Sequence, residues 1–262
     1  MGKLNLQDVT LCAVTSVNIQ QTIHAISYSM EYIDFGDILF FTDCTDILLP
    51  PRVKVFRIDE LKTSSEYSSF LIERLGDYIE TEFALIVQWD GFVIDAESWR
   101  DDFRHYDYIG ASWPQFEDDH MVGNGGFSLR SRKLLKACHD PRFVVGHPED
   151  VSICRTNRPF LESSFDILFA EKAVADQFSF ERYHHGSPTF GFHGAFNLIR
   201  AVGLSAFSDI YVGLDDKRSV FVDYWHIILQ AVKHSRLSRP GPAISIIWRM
   251  TKDYLRFRLN PK

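Results

Sequence analysis

The sequence is short of the features that most quickly reveal a protein's class. It holds 4 cysteines among 262 residues, and none stand in C-x-x-C spacing. Cys12, Cys44, Cys138 and Cys154 are therefore expected as free thiols rather than disulfides or metal ligands. No apolar run reaches the roughly 20 residues of a membrane-spanning helix, and Met1–Asp8 carries no apolar signal region. These two absences set the expectation of a cytoplasmic protein. Positive charge is not in excess either: the formal net charge is -7, which argues against a nucleic-acid binder. There is no internal repeat, no low-complexity segment, no P-loop and no G-x-G-x-x-G in a strand-to-helix context.

What is present fits a globular protein with a large core. Apolar residues make up 45% and charged residues 24%, and Phe alone contributes 22. The length is long for one compact unit without clearly demanding two. Charge is unevenly placed. From Ala231 onward eight Lys and Arg face one acid, Asp253, while the remainder holds 20 basic against 34 acidic residues.

Val9–Val14 reads as a strand, followed by a polar turn from Thr15 to Asn18. Ile23, Ile26, Met30 and Ile33 recur at helical spacing through Ile19–Tyr32. Asp37–Asp43 and Val53–Ile58 read as strands. Ser64 or Ser65 is placed to cap a helix through Tyr67, Phe70, Leu71, Leu75 and Ile79, with Glu66 and Glu73 on its solvated side. The apolar run from Phe83 then ends in Trp89-Asp90-Gly91. This alternation implies a largely parallel sheet with helices on its faces. Sites in such sheets lie at the carboxyl ends of strands, which here present Thr15, Asp43 and Asp90. Further along, helices are expected over Trp99–Tyr108, from Ser131 through Cys138, over Asp150–Cys154 and over Phe165–Ala175. Strands are expected over Ile109–Trp113, Phe127–Arg130 and Phe178–Tyr183, with a mobile polar loop at Gln115–Met121.

Several residues carry candidate chemistry. A buried strand that delivers Asp90 beside a glycine suits a cation or phosphate-metal site, although Asp-Gly is also an ordinary turn. Gly123-Asn124-Gly125-Gly126 permits close backbone approach and unusual dihedrals, and Asn124 offers both donors and acceptors. A plain hairpin turn is the alternative. Glu149 and Asp150 stand at an expected helix start, where capping accounts for them unless one serves as a general base. His184 and His185 are adjacent and precede Gly186; adjacent side chains on a strand point to opposite faces, so they do not easily share a metal. His193 is either a satisfied core histidine or completes the coordination of a metal held by an upstream Asp.

Taken in order, Gln88-Trp-Asp-Gly91, Gly110-Ala-Ser-Trp113, Gly123-Asn-Gly-Gly-Phe-Ser-Leu-Arg130, Pro148-Glu-Asp150, Phe178-Ser-Phe-Glu181 and Gly191-Phe-His193 resemble a largely bacterial family of unknown-function proteins. That family is similar to GT-A-fold glycosyltransferases, and the resemblance spans roughly residues 9–200. It implies an α/β fold: a GT-A-like (Rossmann-like) mixed, mostly parallel sheet flanked by helices, with a C-terminal helical extension. It implies a nucleotide-sugar donor, a glycan or lipid-linked glycan acceptor, and a divalent metal, Mn or Mg, held by a D-x-D motif. Asp90 matches the last Asp of that motif. Gln88 replaces the first, which removes a charge and predicts weak or dispensable metal binding. By the same resemblance Asp90 and His193 are metal ligands, and Thr15, Asp43, Gln88, Trp89 and Asp90 contact the donor. Trp113, Asn124, Gly125 and Gly126 contact sugar, with Trp113 stacking on a ring. Asp150 is the base of an inverting displacement, and Glu149 positions the acceptor.

The division expected is a catalytic domain over 1–215 and a helical, basic extension over 216–262. Val220–Val232 is strongly apolar. In Ile244–Leu259, Ile246, Ile247, Met250, Tyr254 and Phe257 alternate with Arg249, Lys252, Arg256 and Arg258, the pattern of an amphipathic helix with a basic face. That is an ordinary surface helix or an attachment of residues 240–262 to an anionic membrane, on the inner face of the cytoplasmic membrane where lipid-linked acceptors sit. With the resemblance, it points to surface-glycan or lipopolysaccharide assembly. Two other readings stand beside the enzyme: a non-catalytic nucleotide- or glycan-binding module, motivated by Gln88, and a metal-dependent hydrolase using His184, His185 and His193.

Overall fold

The computed structural model describes residues 2–44, 46–184, 186–237 and 240–259. The chain forms two compact units, Met1–His193 and Gly194–Lys262. The sequence reading placed its boundary after residue 215; the compact units divide after His193. His185 lies outside the described residues.

In the first unit, β1 (Leu4–Val14), α1 (Ile19–Glu31), β2 (Ile33–Thr42) and β3 (Lys54–Arg57) follow the expected order. Then come α2 (Ser64–Glu73), β4 (Phe83–Val87), β5 (Tyr108–Ile109) and β6 (Ser128–Ser131). The six strands form one sheet in the order β3-β2-β1-β4-β6-β5. β1 pairs in parallel with β2 and β4, and β2 with β3, whereas β6 runs antiparallel to both β4 and β5. The fold is thus α/β with a mixed, mostly parallel sheet flanked by helices. Strand order reverses direction on either side of β1, so the carboxyl ends of β1 and β4 meet at the switch point where such sheets place ligands.

The strands hold because their side chains are apolar on both faces, as a covered parallel sheet requires. All five residues of β4 are buried. On one face Cys12, Val14, Leu39, Phe41 and Ile86 pack against Leu71, Leu75, Ile79 and Leu135. Phe41 sits among Phe56, Phe70 and Tyr78. α2 begins one residue earlier than expected. Thr63 is its N-cap and forms a capping box with Glu66, so Glu66 closes the helix start instead of merely facing solvent.

Beyond the sheet come α3 (Arg132–Ala137), α4 (Glu149–Val151, continuing into a π-helical turn over Ser152–Thr156), α5 (Arg158–Phe165) and α6 (Lys172–Phe178). β7 (Ser179–Phe180) and β8 (Gly191–Phe192) form a small parallel pair. Two expected helices are corrected. Trp99–Tyr108 forms only short 3-10 turns, at Ala96–Ser98 and Asp101–His105. Phe165–Ala175 is split: Asp166 adopts φ +50 and ends α5, and Phe169 bridges to Tyr108. The cysteines are free, and Cys12, Cys138 and Cys154 are buried.

The second unit is helical: α7 (Leu198–Gly213, interrupted at Gly203), α8 (Arg218–Val222), α9 (Tyr224–Leu237) and α10 (Pro240–Leu259). Phe207, Ile210 and Tyr211 of α7, Ile227 and Ala231 of α9, and Ala243, Ile246 and Met250 of α10 are buried. Tyr211 Oη donates to Asp253 (3.0 Å), and Tyr224 stacks on Tyr254 at 4.2 Å. No described helix is long and apolar enough to cross a membrane.

Candidate active site

A cleft of about 610 Å³ gathers residues that lie far apart in sequence: Gln88, Asn124, Gly125, Asp150, Glu181 and His193 line it. Gln88 follows β4, Asn124 and Gly125 precede β6, Asp150 is in α4, and Glu181 and His193 follow the β7–β8 pair.

The Glu149–Asp150 segment is fixed from two sides. Its tether to α2 is polar: Ser68 Oγ lies 2.8 Å from His147 Nδ1 and accepts from Glu149 N at 3.2 Å. The His147–Pro148 peptide is cis. From the sheet, Arg130 Nη2 donates to Glu149 Oε1 at 3.1 Å, with side-chain exposures of 0% and 7%. Arg130 Nε also donates to Ser128, and its guanidinium lies over the Tyr108 ring. Glu149 is therefore the partner of a buried cation and also lines the cleft. Asp150 has no cationic side-chain partner among the described residues. Its Oδ2 accepts from Gly125 N (3.1 Å) and its Oδ1 from Val151 N (2.8 Å). Burial first, and the Glu149 charge second, raise the Asp150 carboxyl above its ordinary value, against those two donors and Arg130. A carboxylate tuned upward in an open cleft suits a general base.

His193 is held by four neighbours. Nε2 donates to Gln88 Oε1 at 3.2 Å and lies 3.9 Å from Asp90 Oδ1. Nδ1 lies 3.3 Å from Glu181 Oε1, and Asn124 Nδ2 stands 3.2 Å away. Gln88 Nε2 in turn donates to Tyr67 Oη at 2.7 Å. Burial opposes a charge on the imidazole. The Glu181 hydrogen bond and the charges of Asp90, Glu181 and Asp150 outweigh it, and the His193 pKa rises to about 9. Burial alone would raise Glu181, yet its hydrogen bond to His193 and the His193 and Arg182 charges hold it below its ordinary value. The cleft thus carries a charged imidazole at neutral pH, and Arg182 adds a second cation to its wall.

This donor set does not fit a divalent ion. Metal ligands must converge on one point, and the carboxylates around the His193 imidazole do not. Asp90 and Glu181 face opposite nitrogens of the ring, and Gln88 is neutral and already bonded on both sides. Among the described residues no group of three or more His, Cys, Asp or Glu could hold a metal. Asp90 and His193, expected as metal ligands, stand side by side, with Asp90 Oδ1 3.9 Å from His193 Nε2.

The glycine motif also works differently than expected. Among its residues only Asn124 takes positive φ (+64). Gly125 and Gly126 are required by packing: an added Cβ would stand 1.8 Å from Glu149 Oε1 and 2.0 Å from His193 Nε2. Both charged side chains rest on bare backbone. Asn124 Oδ1 is buried without a hydrogen-bond partner among the described residues. Trp113 borders the cleft, with its ring packed against Gly123 and Phe116. Trp89 and Asp90 are buried and do not line the cleft; Asp90 sits behind His193. Thr15 and Asp43 lie at the ends of β1 and β2, outside it. Thr15 Oγ1 closes a turn by accepting from Val17 N, and Asp43 Oδ1 is buried without a partner among the described residues.

The class defined is an α/β protein with an acid-and-imidazole cleft built from loops that follow or precede its strands. The chain belongs to a family described as a protein of unknown function (DUF5672), whose profile matches residues 51–193. That segment contains every residue lining the cleft and excludes Thr15 and Asp43. No curated protein matches the chain. Among solved structures, it is similar to a mannosyltransferase from Pyrobaculum calidifontis in complex with GDP-Man and Mn2+ (10% identity, 94% of this chain and 69% of that one, TM-score 0.44). It is also similar to a glycosyltransferase involved in glycosylation of the major capsid of PBCV-1 (8% identity, 78% and 98%, TM-score 0.45). A third is a Mycobacterium tuberculosis protein's homolog from Mycobacterium sp. strain JC1 (10% identity, 63% and 84%, TM-score 0.38).

Proposed function

We propose that the chain is a glycosyltransferase that moves a sugar, with inversion, from a nucleotide-sugar donor to a hydroxyl of a glycan or lipid-linked glycan. The observation that carries this reading is Asp150: a carboxylate raised by burial, lining an open cleft together with a cationic imidazole. Asp150 takes the proton of the acceptor hydroxyl as that oxygen bonds to the anomeric carbon. The bond from that carbon to the diphosphate breaks, and the nucleoside diphosphate leaves with the electron pair. His193 and Arg182 offset the charge that develops on it. Asn124, Gly125 and Gly126, which line the cleft, contact sugar. Thr15 and Asp43, at the ends of β1 and β2, contact the nucleoside. No step runs through a metal.

The test is a thermal-shift and turnover screen across nucleoside diphosphates and their sugars, with Mn or with a chelator. One donor family should raise the melting temperature by mass action and be slowly hydrolysed, with chelator present or absent. Binding without turnover would favour a non-catalytic nucleotide-binding module. Neither binding nor turnover would remove the nucleotide-sugar reading.

A further inference from the structure

The apolar residues that the sequence pattern picks out in α10 are the ones it spends on packing. Ile246 and Met250 are buried, and Tyr254 and Phe257 pack on Tyr224 and Phe221. A helix docked in this way is expected to show polar residues on its other side. α10 does not. Ile244, Trp248, Leu255 and Leu259 are 65%, 66%, 54% and 77% exposed. At ~100° per residue these four fall within an arc of about 60°. They form a second apolar stripe, opposite the packing face. Cations border it: Arg249, Lys252 and Arg256 on one side and Arg258 on the other, with Lys252 Nζ 5.1 Å from the Trp248 ring. The only acid of the helix, Asp253, is turned inward to Tyr211. α9 repeats the pattern on a smaller scale, with exposed Trp225 and Leu229 one turn apart and Lys233 one turn further. Both tryptophans of this unit are exposed, whereas Trp89 and Trp113 of the first unit are buried.

We propose that α10 lies in the plane of an anionic membrane surface, with Ile244, Trp248, Leu255 and Leu259 entering the acyl boundary and the flanking cations meeting lipid phosphates. The composition is that of an interfacial helix: aromatic and aliphatic residues on one stripe, Lys and Arg beside it. A second copy of the chain is a poorer occupant, because pairing this face with itself would set like charges against each other. The inference stands apart from the catalytic reading, since it concerns a surface no proposed catalytic residue shares.

The test is vesicle flotation of the full chain, using phosphatidylcholine with and without phosphatidylglycerol. The protein should float only with the anionic lipid and be released by salt. Trp248→Ser/Leu255→Ser should weaken binding at least about tenfold, and Arg249→Ser/Lys252→Ser/Arg256→Ser by on the order of a hundredfold. Circular dichroism should confirm that both variants are folded, which their exposed positions favour. No flotation of the wild type, or undiminished flotation of the first variant, overturns the proposal. So does a concentration-dependent dimer that Trp248→Ser abolishes, because the face would then belong to a second copy. Turnover on a soluble acceptor should be the same in both variants, which keeps this test separate from that of the catalytic site.

Discussion

The cleft is built on two carboxylate–cation pairs that look alike in a contact diagram and differ in what they can do. Arg130–Glu149 is sealed, with exposures of 0% and 7%, and it ties the loop before β6 to the segment bearing Asp150. Glu181–His193 borders the open cleft, with exposures of 15% and 19%. Guanidinium does not lose its proton in a protein, so the first pair has a permanent cation. Imidazole does, so the second can change state. A sealed pair with a permanent cation holds geometry; an accessible pair with a titratable cation can serve chemistry. Asp150, next in sequence to one pair and within the field of the other, is placed by the first and lines the cleft beside the second.

The largest test of that contrast is Arg130→Met. Removing one partner of a buried pair strands the other charge, and a loss of about 3–5 kcal/mol is expected in urea unfolding. Glu181→Gln should cost about 1–2 kcal/mol, since solvent reaches that pair. Equal losses would erase the distinction. The next effect depends on pH. The His193 pKa is raised from 6.5 to about 9 in the folded state. Its contribution to stability is therefore complete below about pH 6.5 and is lost as pH rises through about 9. It amounts to on the order of 3 kcal/mol. His193→Gln should flatten the fall in stability between those limits, and an unchanged slope would contradict the charged imidazole. The smallest effect uses two neighbouring glycines. Gly125→Ala and Gly126→Ala should each cost about 1–3 kcal/mol through overpacking. Only Gly126→Ala, which strikes His193, should also change the slope between pH 6.5 and 9.

Much of the sheet was legible because its strands are continuous apolar runs of strand length, as at Phe83–Val87, and because β-strand pattern and helix spacing alternate up to Asp90. The irregular half was less legible, because distant partners decide it. The chain after Asp166 is extended since Leu168 N donates to the buried Asp107 carboxylate and Phe169 pairs beside Tyr108, sixty residues earlier. Trp99 and Phe103 have helical spacing, yet 3-10 turns suffice to pack them edge-on to each other and against Phe178 and Phe190. Within the site, Asp150, Asn124 and His193 were singled out and are brought together. Glu181 stood in the Phe178-Ser-Phe-Glu181 motif without a role. Its role follows from the β7–β8 register, which pairs Phe180 with Phe192 and sets Glu181 beside His193. Arg130 closed the glycine motif unremarked, and a charged residue in a buried strand was the signal available. The motif's glycines also make room for Glu149 and His193, which only the folded chain reveals.

The most direct measurement is turnover of the nucleotide sugar identified by the binding screen, for the wild type and Asp150→Asn, alongside donor affinity for both. The account predicts that transfer falls by about 10²–10⁴-fold, while donor affinity and folding stay near the wild-type level. Transfer that survives the substitution would contradict it.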